Sequence, residues 1–337
     1  MLALNLDVEV TRGDVVESLH RVHAAVIGAD EGLIAAARDA GLVSMWRSCS
    51  KPFQVMPLLS SGGFDRLAWG SEELALACAS HGGEPDHVAI AARMLASIDL
   101  AEGDLACGPH EPLSARGVKL WRESGEPLTR LHNNCSGKHA AMLARAKTAG
   151  WATRGYEQAD HPVQRACLGE VSAWTGVPLD DMPIGVDGCG VTVMALPLDR
   201  MALAYSRFGR AIHSGEEIPV RIAAAIRAHP DLLGGTDRFD TVLLQETDGA
   251  VIAKVGAEGV HSVTVPAIGL GLAIKVEDGA LRAQHVAVLV ALQLLGVLPG
   301  ELAPRLADFM HRPVRNARSE IVGEIRGAAG SARPAAS

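Results

Sequence analysis

The order of apolar and polar positions near the start of the chain predicts an antiparallel β-meander. Three stretches rich in β-branched and small apolar side chains are separated by turn signals, at 7–11, 22–27 and 32–37. A similar pattern returns late in the chain, with predicted strands at 241–246, 251–255 and 262–265. The turn Thr247-Asp248-Gly249 and the glycine-containing segment 256–259 separate these strands. We therefore predict that the two ends of the chain share one antiparallel sheet.

Between these ends the sequence becomes rich in Ala and Leu with helical spacing. This pattern predicts helices at 72–79, 87–98, 139–149 and 219–228. A further segment, 281–298, has an almost unbroken apolar face and is predicted to pack as a long helix on the sheet. The resulting prediction is an α/β sandwich with a discontinuous sheet (about 1–45 plus 240–300) and a helical middle (about 46–239). Residues 1–325 are expected to form one compact unit, followed by a disordered tail at 326–337.

Charge and hydropathy restrict the class of partner. The chain of 337 residues carries a net charge of -8, which argues against the clustered basic surface that nucleic acid or anionic lipid requires. Residues 1–10 lack a basic start followed by an apolar run, and the apolar segment 286–298 is shorter than the ~20 residues of a membrane span. We expect a cytoplasmic protein that acts on a small molecule.

The first segment with candidate chemistry is R-S-C-S-K-P-F-Q, beginning at Arg47. Ser48 and Lys51 are three residues apart, so at a helix start they lie on one face, where a neutral lysine can remove the serine proton. The pKa of such a lysine must be lowered by burial or by a second cation. The alternative is that Ser48 or Ser50 caps the helix and Lys51 is solvated. Pro52 suits a first helical turn and strengthens the case for Ser50 as the cap.

Two later segments supply the remaining parts of a serine acyl-transfer site. Ser80 lies in the glycine-rich loop 79–84, and Lys254 begins a K-x-G pattern on a predicted strand. Together with S-x-x-K, in this order, they resemble the motifs of serine β-lactamases and penicillin-binding proteins. That resemblance implies an oxyanion hole formed by the backbone N–H groups of Ser48 and Ala257. Two departures, Val255 in place of a hydroxyl residue and Gly82 in place of Asn, argue against a β-lactam or peptidoglycan substrate.

Cysteines supply a candidate metal site. None of the six cysteines, at 49, 78, 107, 135, 167 and 189, forms a C-x-x-C pair, and the wide spacing favours free thiols or a metal site over disulfides. Cys135 and Cys189 each lie in a glycine-containing loop beside polar residues, which suits a thiolate-based zinc site. The alternative is that both are buried, inert thiols. His132 and His139 are possible ligands, although a histidine near a helix start often has a structural role.

Four motifs in order resemble the rhizobial-type (class 3) L-asparaginases, the asparaginase II family. They are R-S-C-S-K-P-F-Q, C-A-S-H-G-G-E, H-N-N-C-S-G-K-H-A and D-G-C-G-V, and the segments 228–231 and 254–259 extend the similarity over most of the chain. The resemblance implies a β-lactamase-like fold, shared with glutaminases, and a homodimer. It also implies two Ser–Lys pairs, Ser48 with Lys51 and Ser80 with Lys254. A zinc ion held by Cys135, Cys189 and Lys138 is implied as well.

The function implied by this resemblance is hydrolysis of L-asparagine to L-aspartate and ammonia. Ser48 is the expected nucleophile with Lys51 as its base, although the roles of Ser48 and Ser80 could be exchanged. Because the substrate is a zwitterion, its two α-groups need a cation and an acceptor, for which the candidates are Arg47, Asp187 and, less directly, His139. Two alternatives remain: a related acylhydrolase acting on glutamine or β-lactams, and a non-catalytic zinc-binding protein on the same scaffold.

Overall fold

The computed structural model describes residues 1–328 and contains both strands and helices. The strands are β1 Leu2–Ala3, β2 Val8–Arg12, β3 Val15–His20, β4 Val22–Ile27, β5 Leu33–Ala37, β6 Val43–Met45, β7 Ile184–Val186, β8 Thr192–Pro197, β9 Ile252–Val255, β10 Val260–Val265, β11 Leu270–Val276, β12 Arg312–Arg315 and β13 Ile321–Gly327. The α-helices are α1 Lys51–Gln54, α2 Met56–Ser60, α3 Ser71–Ala77, α4 Pro85–Ala96, α5 Ala115–Ser124, α6 Ser136–Ala149, α7 Pro162–Thr175, α8 Leu198–Ser214, α9 Glu217–Ala228, α10 Pro230–Leu233, α11 Phe239–Glu246, α12 Leu281–Leu294 and α13 Pro304–Met310.

Backbone contacts divide the chain into two compact units, where the sequence predicts one. The strand-rich unit comprises Met1–Ser44, Pro197–Arg210 and Glu246–Ser337, of which the structure describes residues to 328. The helix-rich unit comprises Met45–Leu196 and Ala211–Gln245. The strand-rich unit contains the two chain ends predicted to form the discontinuous sheet, and the helix-rich unit contains most of the predicted helical middle.

A six-stranded sheet joins both ends of the chain in the strand-rich unit, in the order β1-β5-β4-β11-β10-β9. All neighbours in this sheet pair antiparallel except the short β1, which pairs parallel with β5. The predicted sharing of one sheet by the two chain ends is therefore confirmed. A second, four-stranded antiparallel sheet with the order β12-β13-β2-β3 is absent from the sequence prediction. Helix α12 is buried along most of its length and packs on strands of both sheets, β11 and β13.

Gly271 sets how closely helix α8 approaches strand β11 within this unit. A Cβ at Gly271 would lie 2.0 Å from the carbonyl oxygen of Ala202 and 2.3 Å from the amide nitrogen of Ser206. The Ser206 hydroxyl, on the same helix, donates to the carbonyl oxygens of Gly28 at 3.0 Å and Gly269 at 2.7 Å. Only glycine permits this contact between helix and strand backbones.

The helix-rich unit is organised around α3, which packs against α4, α6 and α9. The four helices predicted between 72 and 228 are confirmed as α3, α4, α6 and α9, each within a few residues of its predicted bounds. Gly150 directly follows α6 and Gly176 directly follows α7, both with positive φ, as expected where a left-handed residue terminates a helix. None of the helices within residues 1–328 combines the length and apolarity that a membrane span requires.

Three predicted boundaries need correction. The strand predicted at 241–246 is helix α11, because a short apolar run has no decisive period and its Leu, Gln and Glu residues favour a helix. The helix predicted to reach 298 ends at 294, where the next residues turn through Gly296 at a φ of 72°. The tail predicted to begin at 326 starts inside β13, which includes Arg326 and Gly327; residues 329–337 of that predicted tail lie outside the described residues.

Candidate active site

The Ser48 segment forms a 3-10 turn, Arg47–Ser50, that continues directly into α1. Pro52 occupies the first turn of α1 as its sequence position suggests, but Ser50 makes no side-chain cap; its hydroxyl instead donates to the Arg47 carbonyl at 2.8 Å. Arg47 has a φ of 54°, a left-handed conformation that a non-glycine residue adopts at an energetic cost. Such conformations persist where the surrounding packing fixes the backbone, as it does here beside the fully buried Trp46.

Lys51 is completely buried, so it is not the solvated lysine of the alternative interpretation. Its amine donates to the carbonyl oxygens of Ala79 and Asn134 and lies 3.0 Å from the Ser80 hydroxyl oxygen. The hydroxyl of Ser48 is not among these partners, and its side chain is partly exposed. The structure thus brings together Lys51 and Ser80, whereas the sequence pattern pairs Lys51 with Ser48.

Burial lowers the pKa of Lys51 because desolvation penalises its ammonium form. The thiols of Cys135 and Cys189 act in the opposite direction, and the cation of Lys138 adds to the lowering. The net pKa lies below the ordinary lysine value. A larger neutral fraction at neutral pH is what a lysine base requires.

Backbone bonds to two other segments hold the Ser80 loop. The Ser80 amide donates to the Leu233 carbonyl at 3.1 Å, and the His81 amide donates to the Asn134 carbonyl at 3.2 Å. The buried His81 ring accepts from the Gly83 amide at 3.2 Å and bonds through Nε2 to the Ser136 hydroxyl at 2.9 Å. Burial lowers the pKa of His81 well below its ordinary value, so the ring is neutral and fixes the loop without adding charge.

Lys254 and Ala257 belong to the strand-rich unit. Lys254 is buried on β9, opposite Ser262 of β10, and its amine donates to the Val255 carbonyl at 2.9 Å. Ala257 lies in the turn that connects these strands, where its carbonyl accepts from the Val260 amide. The burial of Lys254 contrasts with the solvent-facing position of an ordinary strand lysine. Its pairing with Ser80 and the oxyanion role of Ala257 remain predictions.

Two thiols and a lysine converge in the helix-rich unit. Cys135 precedes α6, Lys138 lies in the first turn of α6, and Cys189 follows β7 in a loop. The Lys138 amine is 3.1 Å from the Cys189 sulfur. The Cys135 thiol donates a hydrogen bond to Cys189, which lowers the pKa of Cys189 to about 5; the Lys138 cation lowers it further against the effect of burial. The lowered pKa favours the thiolate form of Cys189.

Cys135 and Lys138 have shifts that complement this thiolate. The hydrogen bond to Cys189, together with burial, raises the pKa of Cys135 to about 12. Burial alone would lower the pKa of Lys138, but the two sulfurs and Asp187 raise it above the ordinary value. Two sulfurs and one nitrogen form a donor set that a soft divalent ion such as zinc accepts. Within residues 1–328, no three His, Cys, Asp or Glu side chains could hold a metal, so this set depends on the lysine.

Arg47 and Asp187, predicted to bind the substrate, bind each other. Arg47 Nε lies 2.7 Å from Asp187 Oδ1, and the side chains are 23% and 8% exposed. Burial alone would raise the pKa of Asp187, but Lys138 and Arg47 outweigh it and the net pKa is lowered. Their charges are neutralised locally, which leaves less of either charge for a ligand.

The two candidate histidines differ in their contacts. His139 is buried in α6, bonds through Nδ1 to the Tyr156 hydroxyl at 2.5 Å, and leaves Nε2 without a hydrogen-bond partner among the described residues. Burial, with the neighbouring Lys138 cation, lowers its pKa to about 3, so it is neutral. His132 instead accepts from the Thr129 amide at 3.2 Å and serves a local turn. The sequence analysis missed Tyr156, although it is one of only two tyrosines.

The comparison with protein families agrees with the sequence motifs. A family model described as L-asparaginase II matches residues 8–327. A comparison with curated proteins found no match. Among solved structures, a putative beta-lactamase from Bacteroides dorei DSM 17855 is similar, with a TM-score of 0.44 and 11% sequence identity. That alignment covers 80% of this chain and 93% of the other.

Proposed function

Because the chain belongs to the L-asparaginase II family, which implies a hydrolase acting on amides, we propose that it hydrolyses L-asparagine to L-aspartate and ammonia. The observation that carries the chemical part of this proposal is the buried Lys51 amine 3.0 Å from the Ser80 hydroxyl. A lysine with a lowered pKa beside a serine hydroxyl is the arrangement that activates oxygen nucleophiles.

In the proposed mechanism Ser48 attacks the side-chain amide carbon, because it is partly exposed while Ser80 is 4% exposed. The Ser48 proton passes to neutral Lys51 through the Ser80 hydroxyl, and the resulting ammonium returns it to the leaving nitrogen. Ammonia departs and an aspartyl ester on Ser48 remains. Water then attacks this ester and releases aspartate.

The proposed oxyanion donors are the backbone N–H groups of Ser48 and Ala257, and Lys254 is proposed to support Ser80 in proton transfer. Both roles come from the likeness of the motifs to serine acyl-transfer enzymes. The burial of Lys254 supports its role, since it sets this lysine apart from the solvent-facing lysine that is usual on a strand. Arg47, Asp187 and His139 are proposed to shape the substrate pocket around this centre.

We propose that Cys135, Cys189 and Lys138 hold a zinc ion beside this pocket. When bound, the ion would supply a fixed positive charge that helps to orient the substrate, since a serine nucleophile needs no metal-activated water. Lys138, whose pKa is raised, must lose its proton to become a ligand, while the lowered pKa of Cys189 favours the thiolate that a metal ion needs. Cys135, whose pKa is also raised, would likewise have to lose its proton for the three side chains to hold the ion.

The decisive assays are ammonia release from L-asparagine and from L-glutamine, and, in parallel, ring opening of a β-lactam followed by its absorbance, all with the wild-type protein. We expect turnover of asparagine alone. Turnover of glutamine or of the β-lactam in preference would identify the related acylhydrolase, and no turnover of any of them would favour a non-catalytic zinc-binding protein. The homodimer we propose should give twice the 35.3 kDa chain mass in light scattering.

The nucleophile is tested by trapping the acyl-enzyme. Acid quench during turnover, followed by peptide mass spectrometry, should place an aspartyl adduct on Ser48. The Ser48→Ala variant should form none, while Ser80→Ala should form it more slowly. An adduct on Ser80 would assign the attack to the serine that contacts Lys51 and exchange the two proposed roles.

A further inference from the structure

An arginine that the sequence motifs do not include, Arg238, lies beside the Ser80 loop. It follows the segment Leu233–Thr236, which contains two glycines. The Leu233 carbonyl accepts a hydrogen bond from the Ser80 amide at 3.1 Å. A Cβ at Gly235 would lie 3.4 Å from Arg238 Cδ, so the arginine stem packs directly on this segment. Its charge also reaches His81, whose pKa it helps to lower.

The Arg238 guanidinium has no hydrogen bond and no ion pair with any side chain or backbone group of residues 1–328. Glu84, one of the two acids whose charges act on Arg238, is already occupied: Oε1 accepts from the Thr236 amide at 3.0 Å, and Oε2 accepts from Arg116 at 2.9 Å and from the Thr236 hydroxyl at 2.7 Å. Glu84 and Asp240 act on Arg238 only at longer range.

Neighbouring cations around the Ser80 loop are, by contrast, already paired. Lys51 bonds to three oxygens, Lys138 to Cys189, and Arg47 to Asp187. Arg116 is paired with Glu84. The Arg238 guanidinium is partly exposed, its donors are unused, and burial lowers its pKa. It therefore gains more from binding an anion than any of these paired cations does.

We propose that Arg238 binds the α-carboxylate of the substrate, in place of Arg47. The proposal rests on the function proposed above, which supplies a substrate with one carboxylate. The planar guanidinium suits a carboxylate because it can donate two parallel hydrogen bonds. The role is that of a substrate-binding residue, which acts on affinity and on the choice of substrate.

The test compares two substrates whose side-chain amides are identical, L-asparagine and its α-N-methylamide, in which a neutral group replaces the carboxylate. For Arg238→Met we expect kcat/KM for asparagine to fall about 10- to 100-fold, mainly through KM. Turnover of the N-methylamide should not change, so the preference for asparagine should disappear. Arg238→Lys should retain part of this preference because it keeps the charge without the planar fork.

The matched control is Arg116→Met, which removes another arginine near Glu84 and should keep the wild-type preference. An equal loss for both substrates in Arg238→Met would assign Arg238 a structural role and overturn the proposal. Calorimetric binding of L-aspartate separates this inference from the proposed function because it needs no turnover. Weaker binding by Arg238→Met, even in a protein inactive on asparagine, supports the anion site; equal or absent binding in wild type and variant refutes it.

Discussion

Helices α3 and α4, which flank the Ser80 loop, are joined by a carboxylate whose removal should destabilise the helix-rich unit. Glu73 Oε2 accepts from the Gly70 amide at 2.8 Å, which caps the start of α3. Its other oxygen accepts from Arg93 of α4 at 2.6 and 2.9 Å. The Glu73 side chain is 7% exposed, whereas the adjacent Glu72, which binds the same arginine at 2.7 Å, is 47% exposed.

The two glutamates therefore form a matched pair of substitutions. Glu73→Gln keeps the size of the side chain but removes a buried charge that receives three hydrogen bonds. Since hydrogen bonds to charged groups contribute about 1.5–3 kcal/mol and water can still solvate the half-exposed Arg93, we expect a loss of about 2 kcal/mol. Glu72→Gln breaks a surface ion pair and should cost at most about 1 kcal/mol.

Tryptophan fluorescence during unfolding in guanidinium chloride measures this difference in the right part of the molecule. All five tryptophans, at 46, 69, 121, 151 and 174, lie in the helix-rich unit, so the signal reports that unit. Burial alone would raise the pKa of Glu73, but the Gly70 and Arg93 bonds outweigh it and the net pKa is lowered. The stability difference between wild type and Glu73→Gln should be complete above about pH 5 and shrink as the pH falls below about 4.

An equal effect of the two substitutions would refute this reasoning, because it would mean that burial does not strengthen the contact of Glu73. The same conclusion would follow if the difference between wild type and Glu73→Gln were constant between neutral pH and pH 3. The first outcome tests the magnitude, and the second tests its electrostatic origin.

Three further predictions concern the base, the metal and the core. Lys51→Met should lower kcat for asparagine by about 10²- to 10⁴-fold while the far-ultraviolet circular dichroism stays unchanged; a smaller loss would remove Lys51 as the base. Zinc affinity, measured by competition with a chelator, should rise with pH and fall more than about 100-fold in Lys138→Met, and a pH-independent affinity would exclude the lysine as a ligand. Gly271→Ala should lower the free energy of unfolding by about 3 kcal/mol or more, the upper end of the usual cost of overpacking, because its Cβ would lie 2.0 Å from the Ala202 carbonyl oxygen. Gly103→Ala, whose Cβ meets nothing within 4 Å, is the control and should unfold as the wild type does.

The elements that the sequence predicted correctly are those with a clear local signal. Strands β2, β4 and β5 and helices α3, α4, α6 and α9 lie where period and turn residues indicate them. Strand β3 was missed because its exposed valines and mixed polar residues carry no alternation toward a buried face. Helix α11 was mistaken for a strand because its apolar run is too short to show a period.

For the candidate site, the sequence determined which chemical groups are present and in which local setting. Serine and lysine three residues apart at a helix start, and cysteines in glycine-containing loops, are properties of short segments. Their family resemblance was confirmed over residues 8–327. The left-handed conformation of Arg47 and the close approach at Gly271 had no such local signal, because each depends on what packs against the backbone.

Only the tertiary structure decided which partner each group has. Lys51 contacts Ser80, 29 residues away, and Arg47 is neutralised by Asp187, 140 residues away. The pKa of Cys189 is lowered by Cys135 and Lys138, which belong to a different loop and helix. Arg238 is distinguished by the absence of any such partner among residues 1–328. Hydrogen bonds and desolvation act over a few ångströms, and the folded chain, through the packing of its helices, determines which distant residues come within that range.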